Sequence, residues 1–383
     1  MKRFSQLLIA AAFSTAAFAP VHAADIKIGV GQALTGGGAL YGKAIVNGFE
    51  MAVDEINQAG GLHGNAIKLV MEDTKSEKGA AINAYKRLIF GDKVLAIFGT
   101  TVSNTAQAAD PTAQAAKTVA LSSSNTAYDI TSIGDYIFRN AVIEADVLPV
   151  TVAVAKEKLS LKKVAILYGN DDDFTVDEYD IFKETLTEQG IEITTEETFV
   201  KGDVDFKAQL TKIKSTDPDA IVIAALAEGG PIMVQARQLG IDLPFIGGNG
   251  MNSDKIFTTA PGVASNDLWV GSPWSLDNDT PENKQFIADY NARYKVNPDQ
   301  FAAQAYDAAH ILAQAIRGIQ LSGDVAADRA ALRDALPNVT WTGATGPFKF
   351  KRHLDRQGQP TGYDADQTAI VSVTRDGRFV LVD

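Results

Sequence analysis

The sequence predicts an α/β protein of two lobes, each a doubly wound parallel sheet covered by helices on both faces. Three observations predict it. Short apolar runs alternate with longer segments whose apolar residues recur at helical spacing, the order that parallel sheets with crossover helices require. The same alternation runs through once and then begins again, which suggests two similar units rather than one large sheet. The chain has 383 residues, 46% apolar and 21% charged, a globular composition long enough for two cores.

The elements follow in order. Ile26-Lys27-Ile28-Gly29-Val30 reads as a strand before a glycine-rich turn. Residues 41–58 carry Ile45, Val46, Phe49, Met51, Ala52, Val53 and Ile56 near helical spacing and stop at Gly60-Gly61. A strand at 67–71, a helix at 80–90, a buried-type strand at 94–99, an alanine-rich helix at 103–116 and a strand at 118–122 complete the first unit. The second runs through a helix at 148–157, strand 164–168, helix 177–189, strand 191–199, helix 206–214, strand 220–225, helix 229–239 and strand 245–248. Late helices are expected at 281–294, 300–321 and 326–336. Residues 369–373 and 379–382 read as a strand pair turning at Asp376-Gly377.

The first residues read as an address. Lys2 and Arg3 precede an apolar stretch from Leu7 to Phe13, and Val21 and Ala23 stand at −3 and −1 of a cleavage site before Ala24. Residues 1–23 are therefore expected to be a signal peptide, removed on export to a periplasm. No later run approaches the length of a membrane-spanning helix. The formal net charge of −12 disfavours nucleic acid and anionic lipid as partners. The absence of cysteine excludes disulfides, thiolate metal sites and cysteine nucleophiles.

Familiar catalytic motifs fail one by one. Gly37-x4-Gly42-Lys43 is followed by Ala44 where a phosphate loop needs Ser or Thr. Gly29-x-Gly31 lacks the third glycine of a dinucleotide fingerprint. Gly-x-Ser-x-Gly and His-Glu-x-x-His are missing. His63, His310 and His353 are far apart in sequence and read as surface or capped residues rather than catalytic bases. Asp171-Asp172-Asp173 lacks calcium-loop spacing and reads as a solvated loop. No cofactor, metal or catalytic residue is expected.

Two strand-to-helix junctions remain. Ligands of parallel α/β units sit beyond the carboxyl ends of the strands, where helix N-termini present amide groups. Gly99-Thr100-Thr101-Val102-Ser103-Asn104-Thr105 and Ser122-Ser123-Ser124-Asn125-Thr126 are hydroxyl-rich at such positions. They could cradle a carboxylate without an arginine, and they could equally be ordinary helix caps.

At this point a family resemblance takes shape. It is carried by Ile28-Gly29-Val30 with Leu34-Thr35-Gly36 and Tyr41-Gly42, by Gly48-x5-Asp54-x-Ile56-Asn57-x2-Gly60-Gly61, and by Gly99-x3-Ser103. Ser124-Asn125-Thr126, Gln235-Ala236-Arg237-x2-Gly240 and Ala305-Tyr306-Asp307-Ala308 continue it. With these in order, the chain from about Asp25 to Asp383 resembles the leucine/isoleucine/valine-binding proteins, the type I periplasmic clamps of ABC importers. The resemblance implies two lobes joined by a three-stranded hinge, with crossovers near Ile143–Asp146, Gly271–Trp274 and Thr345–Phe350. Lobe one would then comprise 24–144 and 273–347, and lobe two 145–272 and 348–383.

The resemblance also implies a site. Ser103, Ser124 and Thr126 match positions that hold the ligand α-carboxylate. Tyr41 matches an aromatic lining the pocket, and Phe301 would line the side-chain end. Three positions depart from the family: Phe174 and Ala225 stand where it often has Tyr, and Asn249 where the amino-acid binders place the Glu that neutralises the α-ammonium. A buried ammonium without a carboxylate is costly. Either another acid serves, with Asp171–Asp173, Glu228 and Asp254 nearby in sequence, or the ligand lacks an ammonium. The implied function is capture of a branched-chain or other apolar amino acid and delivery to an inner-membrane ABC permease by a monomeric receptor. An aromatic or short aliphatic carboxylic acid, or an amide, is the alternative, and an exported hydrolase a remote one.

Overall fold

The computed structural model describes residues 25–264 and 266–382. The expected signal peptide lies outside the described residues. The first unit runs β1 (Ile26–Gln32), α1 (Ala39–Gln58), β2 (Ile67–Asp73), α2 (Lys78–Lys86), β3 (Ala96–Phe98), α3 (Ser103–Ala115), β4 (Val119–Ser122) and β5 (Ile137–Arg139). The second runs α4 (Glu144–Leu159), β6 (Lys163–Gly169), α5 (Asp173–Glu188), β7 (Glu192–Phe199), α6 (Lys207–Ser215), β8 (Ala220–Ala224), α7 (Gly229–Gln238), β9 (Phe245–Gly247), α8 (Ile256–Thr259) and β10 (Leu268–Ser272). After these come α9 (Pro281–Tyr294), α10 (Gln300–Arg317), α11 (Val325–Ala335), β11 (Thr340–Gly343), β12 (Gly346–Leu354), β13 (Pro360–Asp366), β14 (Ile370–Arg375) and β15 (Arg378–Leu381).

Two sheets result. The eight-stranded sheet has the order β11-β12-β13-β5-β4-β3-β1-β2, and the seven-stranded sheet β15-β14-β10-β9-β8-β6-β7. In each, five consecutive strands pair in parallel in the winding order 2-1-3-4-5. Their central strands are buried on both faces and hence uniformly apolar, such as Ala220–Ala224. The antiparallel tail pair turns at Asp376 and Gly377, both at positive φ, as the Asp-Gly signal requires.

The late helices return to the first sheet. α10 packs along α1, with Phe49, Ala305, Ala308 and Ile311 in one core. A Cβ at Gly48 would collide with the Ala302 carbonyl and stand 3.0 Å from Ala305 Cβ, so the helices approach this closely only because position 48 has no side chain. The chain therefore changes sheet at 140–143, 273–280 and 367–369.

Part of the expected division needs correction. Residues 348–366 do not join the second sheet: β12 and β13 belong to the first, with Tyr363 paired in parallel to Phe138 of β5. The physical reason is in the pattern of Gly346–Leu354, which alternates buried and exposed residues and needs a partner strand on a half-covered sheet edge. The third crossover accordingly falls after Asp366 rather than near Thr345–Phe350.

A buried ionic cluster braces the same edge. Arg139, fully buried, meets Asp364 at 2.7 Å, and His353 Nδ1 lies 2.7 Å from the other Asp364 oxygen. The guanidinium also donates to the carbonyls of Ala127 and Tyr128 at 2.5 and 3.0 Å, which fixes the loop after β4. Of the surface or capped role expected for it, His353 thus departs only from the surface alternative: it is a buried network member, and Asp364 supplies the partner that makes its burial tolerable.

Candidate functional site

The 2-1-3-4-5 winding places a topological switch point between β1 and β3 in one sheet and between β6 and β8 in the other. Loops diverge there and leave a crevice beyond the strand ends. The loops after β1 and β3 carry Thr101 and Val102 and lead into Tyr41 and Ser103. Those after β6 and β8 lead into Phe174 and carry Leu226. The two crevices face one another, and the lobes close on them.

Between them lies a cavity holding about 290 Å³ of empty space. From the first lobe Tyr41, Thr101, Ser103, Ser124 and Phe301 line it; from the second, Phe174, Leu226 and Asn249 do. Tyr41 and Phe301 meet edge to face with centroids 5.0 Å apart. Tyr41 Oη donates to the Gly250 carbonyl across the cleft at 2.8 Å. Burial, then the nearby Glu228 carboxylate, pushes its phenol pKa up, so it remains a neutral donor.

The hydroxyl junctions are built differently from ordinary caps. The N-cap of α3 is Val102, and no side chain caps the helix. Thr105 and Ala106 amides return to the Val102 carbonyl, leaving the Ser103 and Asn104 amides at the helix head. Ser103 Oγ accepts weakly from the Ala127 amide at 3.4 Å, and Ser124 Oγ donates to the Thr101 carbonyl at 2.8 Å. The second loop is thereby tied to the first, and the ring of donors suits an anionic group at a helix N-terminus.

Further bonds cross the cleft. Asn104 Nδ2 donates to Asp172 Oδ2 at 2.6 Å, Gln300 Nε2 to Asn249 Oδ1 at 2.5 Å, and Ser253 Oγ to Asp299 Oδ2 at 3.0 Å. Lys78 pairs with Asp173 at 2.8 Å near the rim. These contacts describe closed lobes. The triple-aspartate segment is therefore not simply a solvated loop: Asp172 is buried, caps α5 through the Phe174 amide, and bridges the lobes.

Beneath Asn249 sit two glutamates that the sequence reading did not single out. Glu144 opens α4 just after the first crossover, and Glu178 lies on α5; both are fully buried. Glu144 Oε1 accepts from Thr126 Oγ1 and from the Asn249 amide, each at 3.1 Å. Glu144 Oε2 and both Glu178 oxygens have no hydrogen-bond partner. A Cβ added at Gly248 would collide with Glu178 Oε1 and stand 3.2 Å from Glu144 Oε2. Burial raises both carboxyl pKa values, and the neighbouring Glu144 charge raises that of Glu178 further, because two carboxylates in a dry site do not both ionise readily. Only tertiary packing brings residues 34 positions apart together here.

Of the eight residues singled out in sequence, six line the cavity: Tyr41, Ser103, Ser124, Phe174, Asn249 and Phe301. Thr126 does not line it; its hydroxyl is engaged by Glu144. Ala225 is also off the cavity, fully buried in the second lobe's core, and Leu226 takes the lining position. A strand alternates faces, so a one-residue difference in register turns the side chain away. None of the three histidines lines the cavity: His63 bonds the Ile316 carbonyl, His310 stacks on Trp341, and His353 joins Asp364. Among the described residues no cluster has metal-ligand geometry and no helix is long and apolar enough to cross a membrane.

Comparison with known proteins finds the same fold. A family model described as periplasmic binding protein matches residues 25–376. A leucine-, isoleucine-, valine-, threonine- and alanine-binding protein of Pseudomonas aeruginosa is 28% identical over 365 residues, covering 95% of this chain and 94% of the relative. The solved substrate-binding protein of a branched-chain amino acid transporter from Streptococcus pneumoniae, in complex with isoleucine, superimposes with a TM-score of 0.84 at 32% identity, covering 93% of this chain and 97% of the other. An ABC-transporter solute-binding protein from R. palustris, solved with benzoate, shares the fold with a TM-score of 0.81 at 24% identity, covering 94% and 95%.

Proposed function

The chain belongs to the periplasmic binding protein family, and from that premise we propose that it is the exported receptor of an ABC importer. It captures a branched-chain or other apolar amino acid between its lobes and hands it, as a monomer, to an inner-membrane permease after loss of residues 1–23. The observation that carries this reading is the closed cavity at the paired switch points: hydroxyls and helix-head amides on one wall, Phe174, Leu226 and Asn249 on the other. The Ser103 hydroxyl and the amides at the head of α3 hold the carboxylate, and Ser124 positions that loop through the Thr101 carbonyl; Tyr41, Phe174 and Phe301 enclose the apolar side chain. Thr126 acts from behind, through Glu144. The ligand bridges the lobes and so favours the closed form, because only differential contact shifts such an equilibrium. Lobe one takes residues 25–139 and 281–366, and lobe two 144–272 and 370–382.

A second reading, an aromatic or short aliphatic carboxylic acid or an amide, is favoured by Asn249. Its carboxamide is already committed to Gln300 and offers no charge to an α-ammonium. A thermal-shift screen over amino acids, their deaminated acids and benzoates separates the two. Ligand at about 100 times Kd adds roughly 2.7 kcal/mol, a readily measured shift. Stabilisation by leucine, isoleucine or valine supports the amino-acid reading. Stabilisation by the acids alone replaces it, and no response to either class overturns both.

A further inference from the structure

Next to the cavity lies a second and larger chamber, holding about 480 Å³ of empty space. Val102 and Leu226 line both spaces, so the two adjoin. Its first-lobe wall includes Gly38, Ser76 and Asn104, and its second-lobe wall Asp172, Thr175 and Glu228. The chamber is therefore interlobe in the same way as the cavity. No family position cited for carboxylate or side-chain contact lies in it.

Its polar groups share one character. Asn104 is 8% exposed and Asp172 7%. Asn104 spends its amide nitrogen on Asp172, and its Oδ1, buried, has no partner. Glu228 makes no ion pair within 4 Å among the described residues and lies close enough to Tyr41 to raise its pKa. Asp171 and Lys201 stand at the outer edge, joined through the Lys201 amide and Asp171 Oδ1 at 2.9 Å. Three carboxylates face one ammonium, so the chamber presents negative potential together with one unmet buried acceptor, Asn104 Oδ1. A buried acceptor without a donor is unfavourable, and a nitrogen donor, above all a cationic one, meets that need.

We propose that this chamber is an extension of the ligand site that takes a nitrogen-donor tail, so that the receptor accepts longer ligands with a carboxylate head, an apolar body and a terminal amine or amide. The inference rests on the proposed carboxylate-binding function of the adjoining cavity. The head stays at Ser103, the body passes between Val102 and Leu226, and the tail donates to Asn104 Oδ1 and toward Asp172 and Glu228. A solvated tail of the same length without nitrogen has no such partner.

Isothermal titration calorimetry with unbranched ω-amino acids, each beside the fatty acid of equal chain length, tests it, with leucine as reference. At the chain length that reaches the chamber, the ω-amino acid binds about tenfold more tightly than its matched fatty acid, the yield of one charge-assisted hydrogen bond. That ratio falls toward one in Asn104→Ala and in Glu228→Gln. Equal affinities across the whole series in the wild type overturn the proposal, as does a ratio unchanged in both variants. Binding of leucine or the fatty acids without any amine advantage removes the extension and leaves the parent reading standing. Binding of none of them removes both.

Discussion

Replacing Glu178 with Gln isolates the electrostatics beneath the cleft. In the folded protein both Glu178 oxygens are buried without partners, and Glu144 Oε2 beside them is likewise unpaired. Burial first, and Glu144 next, push the Glu178 carboxyl well above its ordinary 4.5. The folded chain thus keeps a proton that the unfolded chain releases. The stability this contributes is complete below the ordinary carboxyl value and is lost as pH rises through the raised folded value, at up to about 1.4 kcal/mol per pH unit for one proton. Glutamine is neutral at every pH and of nearly the same shape. Its amide also offers Glu144, at every pH, the donor that the wild type has only while Glu178 is protonated; losing that donor leaves an orphaned acceptor that costs about 1–3 kcal/mol. Glu178→Gln is therefore expected to match the wild type near pH 5 and to exceed it by about 1–3 kcal/mol near pH 8. Urea unfolding followed by tryptophan fluorescence, at a series of pH values and with unchanged m, measures this. Parallel pH profiles for the two proteins, or a uniform loss of stability in the variant, would refute the reasoning.

Three other perturbations test separate links. Ser103→Ala should weaken ligand binding by about 1–3 kcal/mol through loss of a hydrogen bond to a charged group; calorimetry showing unchanged affinity for it and for Ser124→Ala removes the cradle. Asp364→Asn leaves Arg139 buried without its carboxylate and should destabilise the fold by about 3–5 kcal/mol, read as a lowered urea midpoint; an unchanged midpoint denies the cluster its bracing role. Gly48→Val forces α1 away from α10 and should lower stability by about 1–3 kcal/mol, measured in the same way; a neutral result means the helices separate freely.

The alternation of apolar runs and helical segments made both parallel sheets legible, because every central strand is buried on both faces and advertises itself by composition alone. The Ser103 and Ser124 junctions were legible for a topological reason: Ser103 follows β3 at the switch point and Ser124 follows the neighbouring strand β4. The antiparallel strands β12 and β13 were not foreseen, although Phe348, Phe350 and the intervening lysines alternate as a half-covered strand does. Their sheet membership depends on which edge is free, a property of the assembled lobe. The Glu144–Glu178 pair was invisible for the same reason. A glutamate in a helix normally reads as solvent-facing, and only the approach of Gly248 shows that this pair is sealed. Leu226 in place of Ala225 reflects a single-residue choice of face that strand-end patterning does not decide.

The division of labour between the lobes follows from what each wall offers. On the proposed reading, the first lobe supplies directional donors at Ser103 and the head of α3, beside a loop that Ser124 ties to the Thr101 carbonyl and Arg139 braces. A ligand docked on that wall alone gains affinity but does not close the clamp, since a contact present in both open and closed forms shifts nothing. Closure is driven by what the ligand gains on Phe174, Leu226 and Asn249, added to the cross-lobe bonds Tyr41–Gly250, Asn104–Asp172 and Gln300–Asn249. Those neutral or partly charged bonds contribute on the order of 1 kcal/mol each, and the exposed Lys78–Asp173 pair less. On the proposed reading, the cradle therefore sets which head group is accepted. The second wall sets how firmly the lobes stay shut, so substitutions there are expected to act chiefly on ligand release rather than on initial capture.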